Sequence, residues 1–177
     1  MKNRHAITCT VFAIVALIAI YGFAIVRRGF SAKEQPSTLE VVVARSVRNL
    51  SFAINARNHH NPFPATAENL HEGMEHFADH CAFCHANDGS GNSDTGRNLY
   101  PKPPDLRQSQ TQHLTDGEIY SIIANGVRLT GMPASDHEPD DNWRLVLFIR
   151  HLPQLSPDEQ REMERINPNS GEDHHTH

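Results

Sequence analysis

From Ala86 to His113 the chain carries Gly89, Gly91, Gly96, Pro101, Pro103 and Pro104 and shows no apolar periodicity, so it reads as loop with little regular structure. Helical patterns flank this stretch. Thr66 is an N-cap candidate with Glu68 in the first turn, and Leu70, Met74, Phe77 and Cys81 share one face. Gly73 costs roughly 1 kcal/mol inside a helix, which implies close approach by another segment there. Thr115-Asp-Gly-Glu118 is a capping box opening a helix with Ile119, Ile122 and Ile123, which stops at Asn125-Gly126. Val127 to Glu138 is loop again. A third helix starts at Asp140 or Asp141, buries Trp143, Leu145, Val146, Phe148, Ile149 and Leu152, and ends at Pro153. No repeat and no strand pattern is present, so the fold class is all-α. Residues 65–155 thus form one domain of three to four helices with long loops. So few regular elements bury too little apolar surface to hold themselves together.

Enclosing a large apolar cofactor would supply the missing core, and the run Cys81-Ala82-Phe83-Cys84-His85 names one. Two thiols one helical turn apart can each add to a haem vinyl group, with the following His as proximal iron ligand. Two other readings of Cys-x-x-Cys are weaker. A thioredoxin-like pair needs a strand before it and an alternating α/β pattern. A zinc site needs two more ligands at finger-like spacing, and His113 and His137 lack a partner arrangement.

The second iron ligand separates an electron carrier from a gas-binding or peroxide-reactive haem. Met74 lies on the helix before the motif and reads as core. Met163 lies in a charged helix beyond the domain end. Met132 stands in Leu129-Thr-Gly-Met-Pro133, where glycine permits close backbone approach and proline holds the loop extended. It is the candidate distal ligand. No Ser/His/Asp or paired-carboxylate arrangement competes with the haem motif, so no catalytic residues are assigned.

Residues 66–153 resemble a class I c-type cytochrome. The likeness rests on a helix with Gly73 and Phe77, Cys-x-x-Cys-His, a Gly-rich loop, a Pro-rich stretch, Gly-Met-Pro and a final aromatic helix. The resemblance implies one covalent haem c held by Cys81 and Cys84, with His85 and Met132 as axial ligands. It implies that Gly73 and Phe77 meet the face carrying Leu145 and Phe148. Pro103 and Pro104 would line the haem edge, with Trp143 and Tyr100 candidates to reach propionates. The implied activity is single-electron transfer by a carrier rather than an enzyme. Alternatives are a cytochrome c subunit of a larger membrane oxidoreductase, such as a dehydrogenase or terminal oxidase, and a haem sensor or peroxidase-like protein in which Met132 is displaceable.

The N-terminal segment sets location. Ala6 to Val26 is uncharged and just long enough to cross a hydrocarbon core of about 30 Å. A cleaved secretory signal is the competing reading, opposed by the length of the run and by Arg27-Arg28 directly after it. Residues 1–28 are therefore a stub and transmembrane anchor. Lys and Arg counts on its two sides give no orientation. The resemblance implies a single-pass protein of the bacterial cytoplasmic (inner) membrane with its haem domain on the periplasmic, external side. Residues 29–64 form a connector, with a short amphipathic helix carrying Leu39, Val43, Val47, Leu50 and Ile54 and then an extended arm. The connector packs on the soluble domain or the membrane surface. In residues 156–177, Ser156-Pro-Asp-Glu159 starts a charged helix to about Ile166, and a polar, disordered, His-rich tail follows. After residue 28 the chain has 21 acidic residues against 12 Lys and Arg, a formal −9. That balance excludes nucleic acid as a partner and implies redox partner proteins with a basic docking patch. His59-His60 and His174-His175-Thr-His177 read as solvated histidines, and Cys9 as apolar filler in the span.

Overall fold

The computed structural model describes residues 2–28, 32, 35–51 and 56–168. The expected position of Ile54 on the connector helix and the expected disordered tail from residue 169 on lie outside the described residues, whereas Asn167, expected to begin that tail, is buried and donates from Nδ2 to Asn87 Oδ1 at 2.6 Å. The chain divides into two units, Met1–Ala32 and Lys33–His177.

The first unit is helix α1, Lys2–Arg28. Its window Ile7–Ala24 has a mean hydropathy of 2.4 and none of it is buried. By length and composition α1 is a single-pass membrane anchor candidate.

The second unit is all-helical among the described residues. It begins with α2, Thr38–Ser51, capped where Ser37 N–H donates to Glu40 Oε2 at 2.7 Å. Leu39, Val42, Val43 and Val47 of this helix are all exposed. A short 3₁₀ turn, Ala56–Asn58, starts the arm. The arm is fastened to the rest of the unit rather than free. Arg57 Nε donates to Glu118 Oε1 at 2.9 Å, Asn61 Nδ2 donates to the Trp143 carbonyl at 2.8 Å, and the Arg144 guanidinium lies 4.4 Å from the Phe63 ring centre.

Helix α3, Ala67–His76, starts where the Thr66 hydroxyl accepts from Asn69 N–H. It continues through a π-turn, Phe77–Cys81, into a single turn α4, Ala82–His85. Two further single turns break up the expected loop: α5, Asp94–Arg97, and α6, Ser109–Gln112. Helix α7, Asp116–Asn125, has the expected capping box between Thr115 and Glu118 and ends at Gly126 with φ 64°. Helix α8 runs from Pro139 to His151, one residue earlier than expected, because Pro139 has its φ preset for the first helical turn. A 3₁₀ turn, Leu152–Gln154, leads to α9, Pro157–Ile166, opened by a Ser156/Glu159 capping box.

The core lies where α3 crosses α8. A Cβ at Gly73 would collide with the Arg144 carbonyl oxygen and sit 3.1 Å from the Phe148 Cβ. Just below, the Phe77 and Phe148 rings meet at 5.3 Å and 56°, a tilted pair of the kind that adds about 0.5–1.5 kcal/mol beyond area burial. Met74, Leu145, Val146, Ile149 and Leu152 fill the surrounding space. Met74 is thus core, as its position implies. Met163 is not outside: it is fully buried in this same core, so α9 completes the packing instead of trailing from it. Arg150 fastens α8 to the α6–α7 corner, donating to Asp116 Oδ1 at 2.9 Å, to the Gln112 carbonyl at 2.7 Å and to the Leu114 carbonyl.

Because the backbone carbonyl of Arg144 cannot retreat without moving α8, Gly73→Ala is expected to lower unfolding free energy by about 1–3 kcal/mol in urea titration. Glu75→Ala, on the exposed side of the same helix, changes it by less than about 0.5 kcal/mol.

Candidate functional site

The Cys81–His85 turn is delivered by the π-turn. The Ala82 N–H bonds back to the Phe77 carbonyl, five residues earlier, and Cys81 sits at φ −101°. The C-terminal carbonyls of α4 are closed by the loop that follows. Ser93 Oγ donates to the Phe83 carbonyl at 2.7 Å and lies 3.0 Å from the Cys84 carbonyl, while Gly91 N–H donates to the His85 carbonyl at 2.7 Å. The same Ser93 Oγ accepts from Gly96 N–H at 2.9 Å and so caps α5. One hydroxyl therefore ends α4 and starts α5. A Cβ at Gly96 would run into the Cys84 carbonyl oxygen, which explains a glycine inside that turn.

The chain leaves α4 through Ala86 at φ 62°, ψ 161°, a region that L side chains rarely adopt. It then packs against the proline stretch. A Cβ at Gly91 would lie 2.6 Å from the Pro103 carbonyl oxygen, and Leu106 N–H donates to the Gly89 carbonyl at 2.8 Å. Arg107 locks this contact from outside. Its Nη1 donates to Asp88 Oδ2 at 2.7 Å, and its Nε and Nη2 grip the two Asp105 oxygens at 2.9 Å each. The Arg107 hydrogen bond holds the Asp105 carboxyl down at about 2.

His85 is the most perturbed base of the site. Burial lowers its pKa to about 4, and the Pro104 backbone carbonyl works against that shift. Its Nδ1 is buried without a hydrogen-bond partner. Burial first, then the neighbouring Cys84, pushes the Cys81 thiol up to about 12, and burial also raises Cys84. Neither forms a disulfide. Protonated thiols on a helical turn are the reverse of an activated redox pair, whose thiol is depressed. Two free thiols beside a neutral imidazole with an unsatisfied buried nitrogen do suit a covalently attached metallo-cofactor.

Met132 lies on a separate excursion between α7 and α8. Gly126 at φ 64° and Ala134 pinch its base, since a Cβ on Gly126 would be 2.5 Å from Ala134 N. Val127 N–H donates to the Met132 carbonyl at 3.1 Å, and Met132 N–H donates to Thr130 Oγ1 at 3.1 Å. A Cβ on Gly131 would meet the Leu99 side chain at 2.8 Å, so this loop rests on the segment after α5. Met132 is half-buried. Leu129, at φ 63° on the same loop, is 92% exposed.

Residues 68–149 match the family model described as Cytochrome C oxidase, cbb3-type, subunit III. This stretch is a c-type cytochrome domain. The match takes in α3 through most of α8, with Cys81, Cys84, His85 and Met132 inside it. No curated protein matches the chain. A c-type cytochrome domain binds haem c and passes electrons, which accords with the expected cofactor and role.

Of the residues proposed to reach propionates, Tyr100 Oη donates to Glu40 Oε1 at 2.9 Å and Trp143 stacks on Tyr120 at 4.2 Å. His137, expected to lack a partner arrangement, stands among His76 and His80. The i,i+4 spacing of His76 and His80 was a visible signal for two of the three. The approach of His137 depends on how the Met132 loop returns to α8, which no local pattern encodes.

Two outcomes follow from this geometry. Ala86→Gly relieves the backbone strain and is expected to raise unfolding free energy by about 1 kcal/mol. Asp105, held well below its ordinary 3.8, contributes stability that is present above pH about 4 and lost as pH falls toward about 2. The stability difference between the protein and Asp105→Asn, about 1 kcal/mol at pH 6, should shrink across that window in pH-resolved unfolding.

Proposed function

We propose that this chain is a membrane-anchored cytochrome with one covalent haem c that passes single electrons at the outer face of the bacterial cytoplasmic membrane. The observation that carries the reading is the Cys81–His85 turn, with two free thiols and a buried imidazole whose Nδ1 has no hydrogen-bond partner, inside a domain of matching family. Cys81 and Cys84 would hold the group through one thioether bond each. His85 would supply one iron ligand, its ring kept neutral by burial against the opposing effect of the Pro104 carbonyl. Met132 would supply the second iron ligand, presented by the Gly131-Met-Pro133 loop. Bound there, haem c supplies an Fe(III)/Fe(II) couple, and a Met/His ligand pair favours the reduced form. The π-turn, Ser93 and Arg107 keep this side of the site rigid, which keeps reorganisation on electron transfer small.

Helix α1 holds the domain at the membrane, with its N-terminus cytoplasmic and residues after 28 external, and so raises its effective concentration toward membrane enzymes. The acidic balance after residue 28 favours redox partners that present a basic patch.

A second reading makes the chain a permanent cytochrome c subunit of a terminal oxidase. The description of the matching family favours it, and the exposed valines of α2 supply an apolar contact face. Purification in detergent separates the two. A complex that survives high salt supports the subunit, and a monomeric cytochrome supports the carrier.

Met132→Ala tests the site. The six-coordinate low-spin spectrum of the holoprotein should change to a five-coordinate or water-ligated one, and the reduction potential should fall. An unchanged spectrum and potential would remove Met132 from the iron and bring forward a sensor-like haem with another distal arrangement.

A further inference from the structure

Three imidazoles gather on the surface close to the haem-attachment turn. His76 is the last residue of α3, His80 lies four residues on in the π-turn, and His137 comes from the segment that returns from the Met132 loop to α8. The His80 and His137 rings are 4.2 Å apart, His76 and His137 5.4 Å, and His76 and His80 6.3 Å. One ring nitrogen from each lies within 4.8 Å of the other two. Carboxylates stand around them. Asp141 Oδ1 is 3.4 Å from His76 Nε2, and Asp79 Oδ2 is 3.1 Å from His80 Nε2. Glu75 and Ile166 join His76, Asp79 and His80 around a surface depression of about 330 Å³.

We propose that His76, His80 and His137 bind one divalent transition-metal ion of the zinc, copper or nickel class, separate from the redox centre. Three neutral nitrogen donors select this class over calcium or magnesium, which take oxygen ligands. A tetrahedral ion with bonds of about 2.0–2.1 Å needs its nitrogens about 3.3 Å apart. The rings must close by about an ångström or more, which side chains that are half-buried or exposed reach by rotation. Water fills the fourth position, and Asp141 and Asp79 serve as partners that orient the rings and offset the ion's charge. The consequence reaches the cytochrome domain. His137 lies five residues after Met132, so the ion ties the return of the Met132 loop to the helix that carries Cys81. The ion is a clip between the two halves of the haem environment.

The test titrates Zn²⁺ into detergent-solubilised full-length holoprotein, first stripped with chelator, by calorimetry. The expected result is one equivalent of tight binding and a raised thermal midpoint. His76→Gln/His80→Gln/His137→Gln should abolish that equivalent. A control variant with His59, His60, His174, His175 and His177 all changed to Gln should retain it, which separates this site from the other His-rich segments. His137→Gln alone should weaken binding at least tenfold and remove the thermal shift, and Asp141→Asn should weaken it about tenfold. Retained haem absorption certifies the fold of each variant. Should the triple variant lose it, His137→Gln alone decides. The proposal is overturned if the holoprotein shows no stoichiometric Zn²⁺ binding, if His137→Gln binds as tightly as the parent, or if the control variant loses the site.

Discussion

The approach of two backbones at Gly73 governs the rest of the cytochrome domain. With no Cβ in the way, α3 lies against the Arg144 carbonyl of α8, and the Phe77–Phe148 ring pair is held directly beyond that crossing. The Cys81–His85 turn hangs from the first of these helices, and the Met132 loop runs into the second. The π-turn and α4 extend α3, and the Met132 loop is bounded by α7 and by the start of α8. Without the crossing, the Cys81–His85 turn and the Met132 loop would belong to elements with no common frame.

A second layer of constraint sits in the loops, where backbone hydrogen bonds and one ionic network replace regular structure. Ser93 uses its hydroxyl in both directions, giving a hydrogen to α4 carbonyls and taking one from α5. Arg107 joins Asp88, just after the haem turn, to Asp105, just after the prolines. These residues fix the loop on the His85 side without a strand or a long helix. The side chains nearest the chemistry then acquire their properties from burial: the imidazole of His85 is kept neutral and both thiols are kept protonated. Those are the states from which the proposed thioether attachment and iron ligation would begin.

Much of the fold could be read from the chain because its signals are local. Thr66, Thr115 and Ser156 announce helix starts through hydrogen bonds spanning three residues, and Gly73 announces a crossing through the helix propensity it gives up. What escaped depends on distant partners. Gly96 looks like a breaker, yet it lies within the single turn α5, because the Cys84 carbonyl occupies the space a side chain would need. Met163 sits in a sequence that is nearly all charged, and only the packing of α9 on α3 shows that it is core. The π-turn differs from an α-helix by one residue of register, which apolar spacing does not resolve. Of the proposed site, Cys81, Cys84, His85 and Met132 could be nominated from sequence alone, because the motif and the Gly-Met-Pro loop are contiguous in sequence. The His76, His80 and His137 group was not, because its third member arrives by tertiary contact.

The central claim is that Cys81 and Cys84 carry a haem covalently on this chain. Expression with and without haem-attachment machinery, followed by denaturing electrophoresis and haem-peroxidase staining, tests it most directly. Haem should remain on the denatured polypeptide only when the machinery is present, and should be lost from Cys81→Ser/Cys84→Ser. A denatured chain that never retains haem would contradict the account.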